Sequence, residues 1–180
     1  VFMWSKTVTL TPVAQDFLNF LKSQTAQDVV KEEGGVSLTK AEDRKDEGVG
    51  TYTAPAAAPS GDKKIVVRGS TSMNDLMDAL IGKYCQLNAS WIEESDFDMS
   101  LQGSSTGRSA VDADTVGNVI GMASSAEAED TPRAYFNVAL DAVAVIVNPD
   151  NSLDNITLAQ LYDIYTGAVT KWSELTGEAA

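Results

Sequence analysis

The sequence contains no histidine. That removes the commonest general base, the usual nucleophilic triads and the imidazole ligands of most zinc sites. Its single cysteine, Cys85, cannot close an internal disulfide and says little about redox compartment. Cys85 falls in a helical pattern and reads as a small buried hydrophobe rather than a reactive thiol. Basic residues are few: 13 Lys and Arg stand against 26 Asp and Glu, for a net charge of −13 and a pI near 4.2. A nucleic-acid surface needs clustered Lys and Arg to neutralise phosphates, so that class of partner is excluded. A field of this sign also repels small anions, so any anion site must be local and built from directed donors. No apolar run approaches the ~18 residues of a membrane span, and no basic-then-apolar leader precedes the first element. Three tryptophans, Trp4, Trp91 and Trp172, are scattered and read as packing or surface-covering residues rather than a stacking platform.

What is present describes an ordinary globular protein, 43% hydrophobic and 22% charged over 180 residues. That length suffices for one good core, or for one domain with an appendage. Residues 10–35 carry a helical pattern: Thr11 as N-cap, Pro12 at the first helical position, Val13, Phe17, Phe20 and Leu21 on one face, and Gly34 as a stop. Thr7 to Leu10 could form a strand end before it. Residues 39–64 change character to mixed charge, then Gly, Thr, Ala and Pro without periodicity, which predicts a linker or long surface loop.

Alternating elements follow: a strand at 65–68, a helix from about Ser72 to Leu87, and strands near 96–101 and 118–123 with a short helix at about 108–115 between them. A long apolar run covers 136–148, and a further helix follows Thr157, a plausible N-cap. Such βαβα alternation predicts an α/β domain with an open, mostly parallel sheet flanked by helices. Met73, Met77 and Leu80 lie at helical spacing and read as core. Asp141 interrupts the apolar run and is either an organiser of a hinge or a strand-edge residue in solvent. The acidic runs at 93–98 and 127–130 lack calcium-loop spacing and read as solvated surface.

Three strand ends run into hydroxyl-rich turns: RGSTS at 68–72, QGSSTG at 102–107 and GMASS at 121–125. Open α/β sheets bind ligands beyond the carboxyl ends of their strands. Helices that start there offer free N–H groups and a positive dipole end, hydroxyls add neutral donors, and glycines let the backbone come close. The set fits an uncharged cradle for a small tetrahedral anion. Each cluster taken alone is equally a set of helix N-caps. A phosphatase or other enzyme is disfavoured, because no nucleophile stands beside a base and no metal cluster or cofactor motif occurs.

The strings IVVRGSTSMNDLMDAL, LQGSSTG, IGMASS and LDAVAVIVNPDNSLDNITLAQLYDIYTGAVTKWSEL resemble, in that order, the phosphate-binding proteins of bacterial ABC transporters over residues 64–176. The segment TPVAQDFLNFLKSQTAQDVVKEEGGVSL resembles the end of the same family, yet here it precedes the family's beginning. The resemblance therefore implies a permuted order within one lobe of a class II periplasmic-binding-protein fold. Residues 1–38 match the family's C-terminal end, 39–64 link, 65–148 match the N-terminal half of the same lobe, and 149–180 hold the hinge exit and first helix of a second lobe. A junction between tandem copies and a deliberate permutation would both produce this order; the abrupt start reads as an excised piece of something longer.

Carried over by position, the resemblance implies phosphate contacts at Thr71 and Ser72 in the first turn, Thr106 with Gly107 in the second, and Ser124 and Ser125 in the third. Ser70, Ser104, Ser105 and Arg108 are second-line candidates, with Arg108 expected to face solvent. Some family members place an aspartate at the position of Ser125, and its absence leaves phosphate against sulfate undecided. The second-lobe EAGSGTR-like motif is absent, so one jaw of a two-jaw clamp is expected, with weak binding. The implied setting is an ABC-type phosphate uptake system outside the cytoplasmic membrane, with a permease as partner and lipid anchoring in a longer parent. The alternatives are an interaction or scaffolding module with a degenerate anion site, and a binder of another oxyanion. Self-association through the face left uncovered is a further expectation.

Overall fold

The computed structural model describes residues 1–141 and 144–176. Contacts divide the chain into two units, Val1–Asp141 and Ala142–Ala180. The first is built on a five-stranded sheet in the order β4-β3-β5-β1-β6. Its strands are β1 (Phe2–Ser5), β3 (Ile65–Gly69), β4 (Phe97–Leu101), β5 (Val119–Met122) and β6 (Arg133–Phe136), and a two-stranded ribbon joins β2 (Val36–Ser37) to β7 (Ala139–Leu140). β3 runs parallel to β4 and β5, whereas β1 is antiparallel to both of its neighbours. The expected mostly parallel sheet is therefore present, with β1 as its one reversed strand.

The helices are α1 (Pro12–Leu21), α2 (Gln24–Glu32), α3 (Ala41–Arg44), α4 (Asn74–Leu87) and α5 (Ser104–Asp112). Thr11 caps α1 as expected, its hydroxyl accepting from the Ala14 N–H at 3.2 Å. The single helix expected over 10–35 is two. Ser23 is buried and caps α2 by accepting from the Ala26 N–H at 3.3 Å, while the Gln24 N–H donates to the Gly50 carbonyl and the Gly50 N–H to the Lys22 carbonyl. Those bonds to a distant loop replace the ladder bonds that a continuous helix would make. The strand expected near Thr7–Leu10 lies earlier, at β1. The short helix expected at 108–115 starts at Ser104, directly after Gly103.

The 39–64 stretch is mostly irregular, as expected of a surface loop, but two side chains anchor it. Arg44 is fully buried, paired by two hydrogen bonds with Asp46 (3.0 and 3.1 Å), and its guanidinium lies 4.7 Å from the centre of the Phe136 ring. Tyr52 donates to Asp16 at 2.7 Å, and Tyr84 donates to the same carboxylate oxygen at 2.7 Å. Around these lies an aromatic cluster, with Phe17 packed edge-on against Tyr84 and Phe97 at 4.9 and 5.0 Å. Phe17 and Phe20 come from the helical face read in the sequence, and Met73, Met77 and Leu80 join the same core as expected.

The apolar run at 136–148 does not form one strand. β6 ends at Phe136, β7 is two residues long, and residues 144–148 have no regular structure; Ala142 and Val143 lie outside the described residues. Phe136 and Val138 at its start are buried in the core, whereas Val145 and Ile146 are exposed, so the apolar composition of the run marks core positions only at its beginning. In the second unit, α6 (Leu158–Thr166) is capped by Thr157 and Gln160 in a reciprocal box, and α7 (Ser173–Thr176) is a short turn of helix not anticipated from the sequence. Leu158, Tyr162 and Tyr165 stand exposed on α6. No helix among the described residues is long and apolar enough to cross a membrane.

Helix α5 lies almost on the strand ends. A Cβ on Gly107 would come within 2.6 Å of the Met122 carbonyl oxygen and 2.9 Å of that of Arg68, both backbone atoms that cannot turn away. Replacing Gly107 with Ala is therefore expected to cost about 3 kcal/mol or more. Gly50→Ala, where nothing lies within 4 Å and φ is not positive, should stay within about 0.5 kcal/mol of the parent. Urea denaturation of both variants distinguishes close packing from a general intolerance of side chains at glycine positions.

Candidate functional site

The register of the parallel strands brings the three hydroxyl-rich turns to one edge of the sheet. Gly69 stands opposite Leu101 on one side and Met122 on the other, so the next residues of all three strands leave the sheet together. Backbone bonds tie them: the Ser70 N–H donates to the Met122 carbonyl at 3.2 Å, and the Gly103 N–H to the Gly69 carbonyl at 2.9 Å. Gly69 holds φ at 151°, and a Cβ there would fall 2.2 Å from the Met122 carbonyl oxygen, so only glycine permits this crossing.

Above this platform the hydroxyls pair with one another. Ser70 and Ser72 are 2.9 Å apart, and Ser104 and Ser124 are 3.3 Å apart, with Ser104 Oγ also accepting from the Ser124 N–H at 3.2 Å. The structure thus brings Ser72, Ser104 and Ser124 from the three turns into contact with neighbouring turns or their own caps. Thr71 and Ser105 are exposed, and Thr106 is half-buried on the first turn of α5. Gly107 is buried against Met122 and Gly69, and its N–H points to the Gly103 carbonyl, so its part is close packing rather than a free donor.

Ser72, Ser124 and Ser125 line a cleft of about 450 Å³ whose floor includes Met73, Leu76 and Ala123. Its far side is made by residues 33–35 and 137–141, including Asp141, which is exposed at the rim. Thr71, Thr106 and Arg108 stand outside that lining. α5 contributes its first N–H groups beside the same turns, since Ser104 and Ser105 open a nine-residue helix.

Arg108 does not face solvent as expected. Its Nε donates to a carboxylate oxygen of Glu127, and its Nη2 donates to Ser125 Oγ at 2.9 Å. Glu127 is the residue that sequence reasoning missed. It belongs to the acidic run expected as solvated surface, yet its side chain is only 1% exposed. It accepts from Arg108, from Arg133 Nε at 3.0 Å and from the Thr131 hydroxyl at 3.3 Å, while Arg133 also takes both oxygens of Asp112 at 2.7 and 2.8 Å. No periodicity marks a loop carboxylate whose partners lie 19 and 6 residues away in sequence, so no local signal could have found it. Burial alone would raise the Glu127 carboxyl, but hydrogen bonds from Arg108 and Arg133, with their charges, overcome it and hold the group below the ordinary glutamate value of 4.5. Burial, with smaller contributions from Glu94, Asp96 and Glu93, pushes the Cys85 thiol up to about 11, consistent with an inert side chain. No group of three or more metal-binding side chains occurs among the described residues.

Comparison with known proteins places these features in a family. A family model described as the PBP superfamily domain matches residues 54–180. The phosphate-binding protein PstS 2 of Streptococcus pneumoniae serotype 4 is 31% identical over 175 residues, covering 96% of this chain and 54% of the relative. PstS 2 of Streptococcus agalactiae serotype V is 32% identical over 167 residues, 90% of this chain and 50% of the relative. The chain thus spans about half the length of the curated relatives it matches. A crystal structure of a phosphate-binding protein of a phosphate ABC transporter from Streptococcus pneumoniae superposes with a TM-score of 0.73 at 29% identity, over 96% of this chain and 61% of that one.

The buried Glu127 makes stability depend on pH. Its ionised form is favoured by folding, so the contribution is present above 4.5 and is lost as the pH falls below that value. Glu127→Gln is expected to be less stable by about 3 kcal/mol near neutral pH, with the gap narrowing in acid as the parent's own carboxyl protonates. Urea titrations at the two pH values check this; a gap that stays constant would mean Glu127 is not the linked group.

Proposed function

The chain belongs to the PBP superfamily, and from that premise we propose that it is a non-catalytic solute-binding lobe of an ABC-type phosphate uptake system. The observation that carries the reading is the meeting of three hydroxyl-rich strand ends at one sheet edge, beside the N-terminus of α5, in a chain whose net charge is −13. Inorganic phosphate would sit against Ser72, Ser124 and Ser125 at the cleft, with Thr71, Ser105 and Thr106 at its margin. Ser70 supports from beneath, and Gly107 keeps α5 close enough for its first N–H groups to take part. Donors are neutral or dipolar, which is what an anion site needs where the surrounding field is repulsive.

The affinity follows from the open geometry. Each hydrogen bond to a ligand still in contact with water contributes about 1 kcal/mol net, so four give about 4 kcal/mol and a Kd near 1 mM. Tighter binding requires a second jaw that excludes water. Residues 1–38 serve as the closing part of the same lobe in a permuted order. Two placements support that reading: β1 lies between β5 and β6, and the aromatic face of α1 packs against Tyr84 of α4. Residues 149–180 then begin the partner lobe, and copies of the isolated chain would associate through the face of the first lobe that a complete second lobe would cover. The setting is extracytoplasmic, with an ABC permease receiving the ligand and a lipid anchor in the longer parent.

One observation favours the second reading, an interaction module with a degenerate site. The Ser70–Ser72 and Ser104–Ser124 pairs already satisfy one another, as mutual caps would. An NMR titration of the labelled chain with phosphate, and with sulfate at matched ionic strength, separates the two. Saturable phosphate shifts at Ser72, Ser124 and Ser125 with a Kd near ~1 mM, weaker with sulfate, are expected. Equal shifts with both anions point to another oxyanion, and no shifts to the module.

A further inference from the structure

We propose that Glu127, acting through Arg108, is the positioning residue of the third turn: it holds Ser124 and Ser125 at the cleft and leaves the Ser125 hydroxyl hydrogen free to meet an oxyanion. The inference deepens the phosphate reading and rests on it for its ligand, though not for its geometry.

The third turn opens a connection of ten residues, 123–132, between β5 and β6 that must cross over β1. Ser124, Ser125 and Ala126 are exposed, and the direct tie of this stretch to the second turn is the Ser104–Ser124 contact. A loop of that kind would ordinarily be mobile. Here it is clamped from beneath. Glu127 follows the two serines by only a few residues and sinks into the protein, where one carboxylate oxygen takes Arg108 of α5 and the other takes Arg133 of β6 and the Thr131 hydroxyl. Lys6 adds a bond to the Thr131 carbonyl at 2.9 Å from the chain beyond β1. The clamp thus joins α5, β6 and the segment after β1 to one point of the loop.

Arg108 transmits that anchorage to the serines. Its Nη2 donates to Ser125 Oγ at 2.9 Å and lies 3.4 Å from the carbonyl oxygens of Ser125 and Ala126. A guanidinium only donates, so the Ser125 oxygen is the acceptor in that bond and its own hydrogen remains for another partner. Ser125 lines the cleft. The result is a hydroxyl polarised by a cation and held facing the space where an anion would sit. The cation does not itself fill the site, because its charge is met by a buried carboxylate. Ala123, at the start of the turn, is already held by two backbone bonds with Val1 (2.8 and 3.0 Å), so it is the stretch beyond it, Ser124 to Ala126, whose orientation depends on Glu127 fixing Arg108.

The test begins without ligand. In 15N relaxation, order parameters at Ser124, Ser125 and Ala126 are expected near 0.85 in the parent chain and below about 0.6 in both Glu127→Gln and Arg108→Ala, with Val67 and Leu80 unchanged. Arg108→Lys should recover part of the order, since it keeps the charge. Arg133→Ala should loosen 131–133 more than 124–125. In acid the parent's own turn should loosen as Glu127 protonates, while Glu127→Gln stays flat. The charged groups around that carboxylate are Arg108, Arg133, Asp112 beyond Arg133, Lys6 and the Val1 amino group. Should Glu127→Gln fail to fold, the two Arg108 variants decide the matter, because that side chain is 26% exposed.

Added phosphate should then give shifts at Ser125 at least threefold smaller in Arg108→Ala than in the parent. Unchanged order at 124–126 in Arg108→Ala overturns the positioning role whatever the titration shows. A parent that ignores phosphate while its variants loosen the turn leaves the clamp standing and removes phosphate as the ligand.

Discussion

The arrangement rests on one close approach, that of α5 to the ends of β3 and β5. Gly107 on the helix and Gly121 on β5 leave no room for a Cβ, and every atom that one on Gly107 would meet is backbone of β3 or β5. Because the helix sits that low, its first turn stands level with the turns after β3 and β5 instead of a side chain's length above them. Three hydroxyl clusters that are far apart in sequence then share one surface, and Arg108, one residue beyond Gly107, comes within reach of the third. A side chain at Gly107 would raise the helix and separate all of these contacts together, so packing and site geometry are a single constraint.

That constraint matters more in an acidic chain than it would in a basic one. With 26 acidic against 13 basic residues, long-range attraction cannot gather an anion, and only short-range directed donors can. The arginines nearest the cleft do not alter this, because Arg108 and Arg133 are paired with Glu127 and Asp112 in a network of two positive and two negative groups. Selectivity in the proposed anion site would then come from which donors and acceptors point inward, and therefore from how firmly the turns are held.

Much of the fold was legible from residue pattern. Thr11, Pro12 and the spacing of Val13, Phe17 and Phe20 mark α1 because capping and helical periodicity are local properties. The three glycine- and serine-rich strand ends mark the platform because turns require particular residues. What escaped were features decided by partners remote in sequence. The break between α1 and α2 depends on bonds between Lys22, Gln24 and Gly50, and the run at 136–148 has strand composition while its described residues beyond Leu140 belong to no strand. Arg44 and Glu127 escaped for the same reason, since charged residues in polar stretches read as solvated until a counter-charge is shown to be buried with them. The meeting of three hydroxyl-rich turns was legible, and the division between Ser72, Ser124 and Ser125 at the cleft, Thr71 and Thr106 outside its lining and Gly107 packed beneath was not.

The buried carboxylate also bears on why a site of neutral donors would carry an arginine beside it. A free guanidinium at the cleft would attract any anion, sulfate and nucleotide phosphates included, with little regard for shape. Cancelling its charge with Glu127 removes that indiscriminate attraction, while the direction of its N–H bonds survives and fixes which way Ser125 can donate. Desolvating such a pair is costly, and replacing it with apolar side chains of similar volume is often neutral or stabilising. The presence of Arg108 and Glu127 at this point is therefore poorly explained by stability alone. The proposed positioning role supplies what stability does not: on a loop that spans the sheet from β5 to β6, hydrophobic packing would hold the chain in place without aiming a single hydrogen.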